Sequence, residues 1–187
     1  MIMPRQITIN MFRTALSILF FGFFLQACGG LGYYNPDPKI VNGVMIPTPG
    51  IKPADITIIN AQESKETHRL DFREIEVNYH DFTQSLVKAI ETELVKNNVN
   101  VVDAANRSLH VSVEKIAMFH DAVNFRAIIK AKVQFDNGKY KMFTATRATY
   151  ASPFMQSTFP TKPLDAAFRD LVGKIVNDKT VKNYIQL

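Results

Sequence analysis

Residues 125–150 read FRAIIKAKVQFDNGKYKMFTATRATY and carry the clearest structural pattern in this chain of 187 residues. Apolar side chains occupy every second position from Phe125 to Phe135, which is the period of a strand buried on one face. The following Asp136-Asn137-Gly138 is typical of a tight hairpin turn. A second strand pattern runs from Tyr140 to Tyr150. The stretch therefore predicts a long antiparallel hairpin.

Other strands are predicted on the N-terminal side of this hairpin. Residues 109–113 alternate apolar and polar side chains, which predicts a half-buried strand antiparallel to the first arm. Shorter strands are predicted at residues 56–59, where isoleucines cluster, at 70–77 (LDFREIEV) and at 99–103 (VNVVD).

Helices are predicted where apolar residues recur at three- and four-residue steps. The first begins at Asp81 as its N-cap and stops at Asn97-Asn98, and the second carries Pro163 in its first turn. Asp178 is predicted to cap a short final helix. Together with the strands, these elements predict an α+β fold. Its architecture is a two-layer sandwich of a mainly antiparallel sheet with two main helices, in one domain over residues 54–187.

The N-terminal residues 1–27 have the organisation of a signal peptide. Arg5 and Arg13 stand in a segment without acids, and residues 14–25, TALSILFFGFFL, form an apolar run too short to span a bilayer comfortably. Either Met1 or Met11 can serve as the start of this signal.

The sequence LQAC at residues 25–28 resembles the lipobox of bacterial lipoproteins, with Leu25 and Ala27 at the expected positions and Gln26 as a departure. The resemblance implies cleavage before Cys28, a diacylglycerol on its sulfur and an acylated new amine. It also implies an outer-membrane anchor on the periplasmic side, with the inner membrane less favoured, because Gly29 stands where an Asp would signal inner-membrane retention. The alternative is a cleaved secretory signal that leaves a buried free cysteine.

Residues 28–53 are predicted to be a flexible tether that follows the lipidated cysteine. Residues 29–53 contain five of the nine prolines and five of the eight glycines, with no helical or strand period. If extended, this segment would hold the domain up to roughly 75 Å from the lipid.

The C-terminal third resembles the YajG family of envelope lipoproteins. The matching positions are Arg147, Ala148 and Tyr150 at the end of a strand, followed by Asp178, Val181, Tyr184 and Ile185 in the tail. The resemblance implies a small α+β domain and brings no molecular activity with it. The architecture is also similar to that of auxiliary lipoproteins of lipid-transport and lipopolysaccharide-assembly machines, which is an analogy of fold alone.

Composition and motifs predict neither catalysis nor a cofactor. Without the signal, 20 basic and 17 acidic residues leave a mild net charge of +3, which does not indicate nucleic-acid binding. The four histidines, at positions 68, 80, 110 and 120, lack metal-ligand spacing. Ser-x-x-Lys occurs at residues 85–88 and 112–115 without the partner motifs that a Ser-Lys nucleophile requires. We therefore predict no catalytic residue, no metal and no cofactor, with a hydrolase as the less favoured alternative.

Two surfaces remain as candidates for binding a partner. One is the loop with Phe154, Met155 and Phe159, since exposed aromatic and Met side chains are enriched at interfaces; the simpler alternative is that they cover one end of the core. The other is the outward strand face with Arg126, Lys130 and Lys132, together with Lys139 and Lys141, which could meet anionic lipid or an acidic partner. Its simpler alternative is a solvated face that charge keeps soluble.

These observations predict a membrane-anchored envelope lipoprotein that acts as a non-catalytic binding or assembly module. The membrane is contacted through the lipid on Cys28, and the partner is an envelope protein. An auxiliary subunit of a lipid or lipopolysaccharide transport complex is the alternative.

Overall fold

A computed structural model describes residues 32–38, 54–70, 75–120, 124–150 and 161–186. Within them the strands are Thr57–Asn60 (β1), Thr67–Arg69 (β2), Glu76–Asn78 (β3), Ser108–His120 (β4), Asn124–Phe135 (β5) and Tyr140–Tyr150 (β6). The helices are Tyr79–Lys96 (α1), Lys162–Asn177 (α2) and Lys179–Gln186 (α3). The predicted signal peptide, Cys28 and the loop with Phe154, Met155 and Phe159 lie outside the described residues. None of the described helices is long and apolar enough to cross a bilayer.

Four strands form the main sheet in the order β1-β4-β5-β6, and β2 and β3 pair in a separate two-stranded sheet. The β4-β5 and β5-β6 pairs are antiparallel, whereas the short β1 pairs with β4 in parallel. Helices α1 and α2 pack against this sheet and against each other. The predicted α+β two-layer architecture is therefore confirmed.

The β5-β6 hairpin forms where its sequence predicts it. Gly138 has a φ of 79°, which a residue with a side chain rarely adopts, and its N–H donates to the carbonyl of Phe135 over 3.0 Å. All six apolar side chains that alternate from Phe125 to Phe135 are buried toward the helices. In β4, a β-bulge between Val113 and Lys115 shifts the register by one residue.

Two local predictions are corrected by the structure. The N-cap of α1 is Asn78 and not Asp81, because the Asn78 side chain accepts the Asp81 backbone N–H over 3.1 Å and the helix starts three residues earlier than predicted. Residues 99–103 make no strand beyond a single parallel bridge between Val101 and Ile56, since the chain leaves the sheet directly afterwards. The segment predicted as a strand at residues 70–77 contributes β3 at its end.

The helix ends follow their sequence signals elsewhere. Asn98 ends α1 with a φ of 62°, and Pro163 stands in the first turn of α2. Asp178 caps α3, as its carboxylate accepts the backbone N–H groups of Thr180 and Val181 over 2.9 Å and 3.3 Å.

Charged side chains on the helix-facing side of the edge strand β6 tie it to the helices. Lys141 pairs with Asp178 over 2.6 Å, and Arg147 pairs with Asp170 over 2.6 Å. Lys174 also reaches Asp170 over 3.0 Å and donates to a β6 carbonyl. Inward-pointing charges of this kind hinder another strand from adding to the edge.

Asp178 is expected to be the most informative of these charges to mutate. Asp178→Ala removes both the α3 cap and the Lys141 pair, and should lower the free energy of unfolding by about 1–2 kcal/mol. Asp178→Asn keeps a capping side chain and should cost less than half as much. Urea denaturation of the two variants measures the difference, and equal losses would contradict the capping role.

The pH dependence of this effect follows from the pKa of Asp178. Burial opposes ionisation of its carboxyl, but hydrogen bonds from Lys141 and from the Val181 and Thr180 amides outweigh it and lower the pKa below the ordinary 3.8. The stabilisation is therefore present at neutral pH and is lost as pH falls below 3.8 through the lowered value. The stability gap between wild type and Asp178→Asn should close over that acid range.

Candidate binding surfaces

The outer face of the main sheet carries a group of basic side chains that no described helix covers. The β4-β5 register sets Lys115 directly opposite Lys130 and Phe119 opposite Arg126. Lys132 lies two residues along β5 on the same face, because side chains alternate between the two faces of a strand. We call this surface the basic sheet face; it comprises Lys115, Arg126, Lys130 and Lys132 with the apolar and aromatic residues Ile59, Phe119, Tyr140 and Met142.

Acidic residues are nearly absent from the strands that build the basic sheet face. Glu114, in the β-bulge, is the sole acid within residues 108–120, 124–135 and 140–150. Like charges directly opposite each other in a sheet are destabilising. The Lys115–Lys130 pair is therefore maintained against a local electrostatic cost.

Large apolar and aromatic side chains are exposed among these charges. Ile59, Phe119, Tyr140 and Met142 are between 37% and 62% exposed. The ammonium of Lys132 lies 5.1 Å from the centroid of the Tyr140 ring, a cation–π distance. The basic sheet face therefore carries positive charges and also exposes apolar side chains that can contact apolar groups of a partner.

The structure shows which of the basic residues predicted to form a patch lie on the same face of the sheet. Arg126, Lys130 and Lys132 share the basic sheet face. Lys139 is exposed in the hairpin turn, whereas Lys141 lies on the opposite side of β6 in its pair with Asp178. Lys141 therefore does not belong to the predicted patch.

A second feature was not visible in the sequence: residues Tyr33, Tyr34 and Asn35 dock on the helix layer, and we call them the clasp. Tyr33 makes a β-bridge with Glu76, and the Tyr34 N–H donates to the Glu76 carbonyl over 2.8 Å. Tyr34 is buried in the core, 6.3 Å from Phe82 between ring centroids. These residues fall inside the stretch predicted as tether, so packing begins well before residue 54.

Side-chain hydrogen bonds fix each clasp residue to a helix. The hydroxyl of Tyr33 donates to Asp81 over 2.6 Å, and that of Tyr34 donates to Asp165 over 2.7 Å. Asn35 accepts from the Ser85 hydroxyl over 2.9 Å. The clasp therefore holds both α1 and α2.

The clasp tyrosines remain protonated donors across the neutral range. Burial, reinforced by the neighbouring Asp81 carboxylate, raises the pKa of Tyr33 to about 12. The hydrogen bond from Tyr33 in turn lowers the pKa of Asp81. For Tyr34, burial raises the pKa further, with the Asp165 charge adding to the effect.

Residues considered for metal binding or catalysis are engaged elsewhere. No group of three His, Cys, Asp or Glu side chains within the described ranges could hold a metal ion. Ser85, of the first Ser-x-x-Lys match, is buried and bonded to Asn35. His110 contacts the Ser108 hydroxyl over 2.9 Å, and His68 packs on the Tyr79 ring.

One depression of about 510 Å³ beside β1 contains two carboxylates, Glu91 and Asp103. Burial raises the pKa of Glu91; Lys88 partly offsets this and Asp103 adds to it. The described side chains that line the depression include no His, Cys or Lys, so these acids lack a partner base.

The residues that resemble the YajG motif have structural roles here. Val181 and Ile185 are buried in the core. The Tyr184 hydroxyl accepts the Ser108 N–H over 3.2 Å and donates to the Ser108 carbonyl over 3.3 Å. With the pairs of Arg147 and Asp178 described above, these residues secure the C-terminal helices to the sheet.

Replacement of Lys130 tests whether the like-charge pair with Lys115 lowers the stability of the domain. Lys130→Glu creates an opposite-charge pair with Lys115 and is expected to raise the free energy of unfolding by roughly 0.2–1 kcal/mol. The gain should shrink in high salt because exposed charges are screened. Urea denaturation at low and high salt measures it, with Lys139→Glu in the hairpin turn as the matched control. Destabilisation by Lys130→Glu would contradict the interpretation.

Comparisons with known proteins do not assign a family. No protein-family model matches the chain, and no curated protein matches it. Among solved structures it is similar to the hypothetical protein CT253 from Chlamydia trachomatis, with 10% identity and a TM-score of 0.45, over 71% of this chain and 97% of that one. It is also similar to a minor lipoprotein from Acinetobacter baumannii, with 9% identity and a TM-score of 0.40, over 71% and 90% of the two chains. Both TM-scores lie below 0.5, so neither similarity assigns a function to this chain.

Proposed function

We propose that this protein is a membrane-anchored envelope lipoprotein whose domain is a non-catalytic binding module for an acidic protein partner. The observation that carries the proposal is the basic sheet face, which presents Lys115, Arg126, Lys130 and Lys132 on one side of the sheet. The anchor is the acylated Cys28 of the lipobox-like LQAC, on the periplasmic side of the outer membrane. Two or three acyl chains suffice for durable anchoring, whereas one myristoyl chain binds weakly.

Charge complementarity favours an acidic partner. The three strands β4 to β6 contribute a single acid, so a surface with several carboxylates would meet little repulsion. The exposed Phe119, Tyr140 and Met142 favour a protein, since aromatic and Met side chains are enriched at protein interfaces. An anionic lipid surface would accept the same charges and apolar side chains, so the crosslinking and vesicle measurements below decide between lipid and protein.

The size of the basic sheet face predicts a transient complex. The 12 residues of β5 extend over about 40 Å, and four strands span about 14 Å between outer axes, so the face offers roughly 600 Å². A standard stable interface buries about 800 Å² on each partner. We expect binding to be weak and sensitive to salt, which suits an auxiliary subunit of a lipid or lipopolysaccharide transport complex.

The anchor is tested by metabolic labelling with a palmitate analogue. Wild type should incorporate the label and fractionate with membranes, and Cys28→Ala should lose both properties because the mature chain contains no other cysteine. The matched control is Gln26→Ala, one residue from the expected cleavage site, which should keep the label. A Cys28→Ala variant that still labels would overturn the anchor.

The binding surface is tested by photocrosslinking in intact envelopes. A crosslinker at Thr146, which is exposed on the outer face of β6, should capture a defined protein. Capture should disappear in Lys130→Glu/Lys132→Glu and at high salt. The double variant Lys88→Glu/Lys179→Glu has the same charge change on exposed helix positions and should retain capture. Crosslinks to lipid, or tighter binding of anionic than zwitterionic vesicles through Lys130 and Lys132, would favour the lipid and overturn the protein partner.

A further inference from the structure

The two edge strands of the main sheet are protected unequally against the addition of another strand. On β6, Lys141 and Arg147 point toward the helix layer and hinder such an addition. The other edge strand, β1, has the sequence TIIN and contains neither a charged residue nor a proline. Only its short length limits association, so its chemistry leaves the edge open to an added strand.

Backbone groups of Ile58 and Asn60 point away from the sheet. In the parallel β1-β4 pair, the N–H groups of Thr57 and Ala61 donate to β4 carbonyls over 3.0 Å and 2.8 Å. Because alternate residues of a strand direct their hydrogen-bonding groups to opposite sides, Ile58 and Asn60 direct theirs outward. Within the described part of the chain, these outward groups have no backbone partner.

The segment after α1 shows how a strand sits on this edge. The Ile56 N–H donates to the Asn100 carbonyl, and the Val102 N–H donates to the Ile56 carbonyl, each over 3.0 Å. The segment then leaves the sheet, and no described residue continues it beside Ile58 and Asn60. The 510 Å³ depression lies at this position, since both residues line it, and its volume is in the range of about 300–1,000 Å³ that ligand sites occupy.

Helix α1 forms the other wall of the depression and runs antiparallel to β1. Its first turns lie beside the end of β1, because the Asn60 side chain donates to the His80 carbonyl over 3.1 Å and to Gln84 over 3.2 Å. Its last turn leads directly into the segment that bridges Ile56, at the start of β1. A strand added to β1 would therefore lie between this edge and the length of α1.

The α1 side chains in the depression match the spacing of a strand. Val87, Glu91 and Val95 line it at four-residue intervals, and four residues extend about 6 Å along a helix. Side chains on one face of a strand repeat about every 6.6 Å. An added strand would thus set three alternate side chains beside an apolar, an acidic and an apolar residue in turn.

The charge of the depression favours a basic side chain at the middle of these three positions. Among the described residues that line it, Glu91 and Asp103 are the only charged ones, and neither forms an ion pair with a described residue. Glu91 is half-buried and Asp103 is exposed. A Lys or Arg beside Glu91 would supply the opposite charge that no lining residue supplies.

We propose that the depression between β1 and α1 binds an extended segment of a partner protein with the pattern apolar-x-basic-x-apolar, which adds a strand to the main sheet. Backbone hydrogen bonds to Ile58 and Asn60 attach the segment, and its alternate side chains beside α1 select it. The lysines of the basic sheet face lie on β4 and β5, apart from this depression. The proposal therefore depends neither on them nor on acylation of Cys28.

Two designed peptides test the site on the full chain purified in detergent. The fluorescent heptapeptide TVTKTVT carries apolar, basic and apolar side chains at alternate positions, and TVTETVT differs only in the sign of the central charge. Fluorescence anisotropy should show saturable binding of the lysine peptide and roughly fivefold weaker binding of the glutamate peptide. Glu91→Lys/Asp103→Lys should invert this preference, whereas Lys130→Glu/Lys132→Glu on the basic sheet face should preserve it.

Amide hydrogen exchange, followed by NMR, identifies the edge that binds. In the free protein, the amides of Ile58 and Asn60 should exchange faster than that of Thr57, which is bonded to β4. Saturation with TVTKTVT should slow the exchange of both amides at least about tenfold.

A proline at position 60 removes one outward N–H and leaves the bonds to β4 in place, as a strand edge tolerates. Asn60→Pro should weaken binding of TVTKTVT about fivefold. Asn60→Ala is the matched control, because it loses the same side-chain bonds to α1 but keeps the N–H, and it should bind as wild type does. Urea denaturation of both variants checks that they are folded.

Every other result overturns the proposal. Absence of saturable binding, equal binding of the two peptides, or equal losses from Asn60→Pro and Asn60→Ala would each contradict it. Binding that leaves the amides of Ile58 and Asn60 unprotected would place the peptide elsewhere. Slow exchange of these amides without peptide would mean that the edge is already covered. Sedimentation would then assign the cover to another part of this chain in a monomer, or to a second copy in a dimer.

Discussion

The contact between Phe82 of α1 and Phe168 of α2 joins parts of the chain that are far apart in sequence. Both rings are buried, with centroids 5.5 Å apart at 84°, the edge-to-face arrangement that aromatic quadrupoles favour. Tyr34 adds a third ring 6.3 Å from Phe82. Loss of a buried Phe side chain typically costs 3–5 kcal/mol, against about 5–15 kcal/mol for a whole domain. The packing of α1 against α2 and the docking of Tyr34 of the clasp therefore depend on this one aromatic cluster.

Features with local signals are predictable from the sequence. The β5-β6 hairpin needs only a two-residue period and a turn with Gly138, and the ends of α1 and α2 need only Asn98 and Pro163. Each of these signals acts within a few residues, so neighbouring packing does not override it. The Asp178 cap belongs to the same class, because its partners are two and three residues away.

Features that depend on distant partners are not predictable in this way. Asp81 looks like an N-cap, but Asn78 takes that role and Asp81 instead accepts from Tyr33, 48 positions away. Tyr34 reaches Asp165 across 131 positions, which no local window can detect.

The pairing of Lys115 with Lys130 was not predictable from the sequence for another reason. Plain alternation from Val113 would turn Lys115 inward, and the β-bulge reverses this, so that Ile116 is buried and Lys115 faces Lys130.

An antiparallel sheet with one solvated face is common, so exposure alone does not identify a binding surface. Charges on a sheet are often explained as protection of an edge strand against association. Here that protection resides on β6, where Lys141 and Arg147 pair with the helices. Lys130 and Lys132 instead lie on β5, which is flanked by β4 and β6 and has no free edge in the main sheet. Edge protection therefore does not require these lysines, and the Lys115–Lys130 opposition disfavours folding. The two explanations that remain for their placement are the solubility that charge gives to a solvated face and the binding of the acidic partner proposed above.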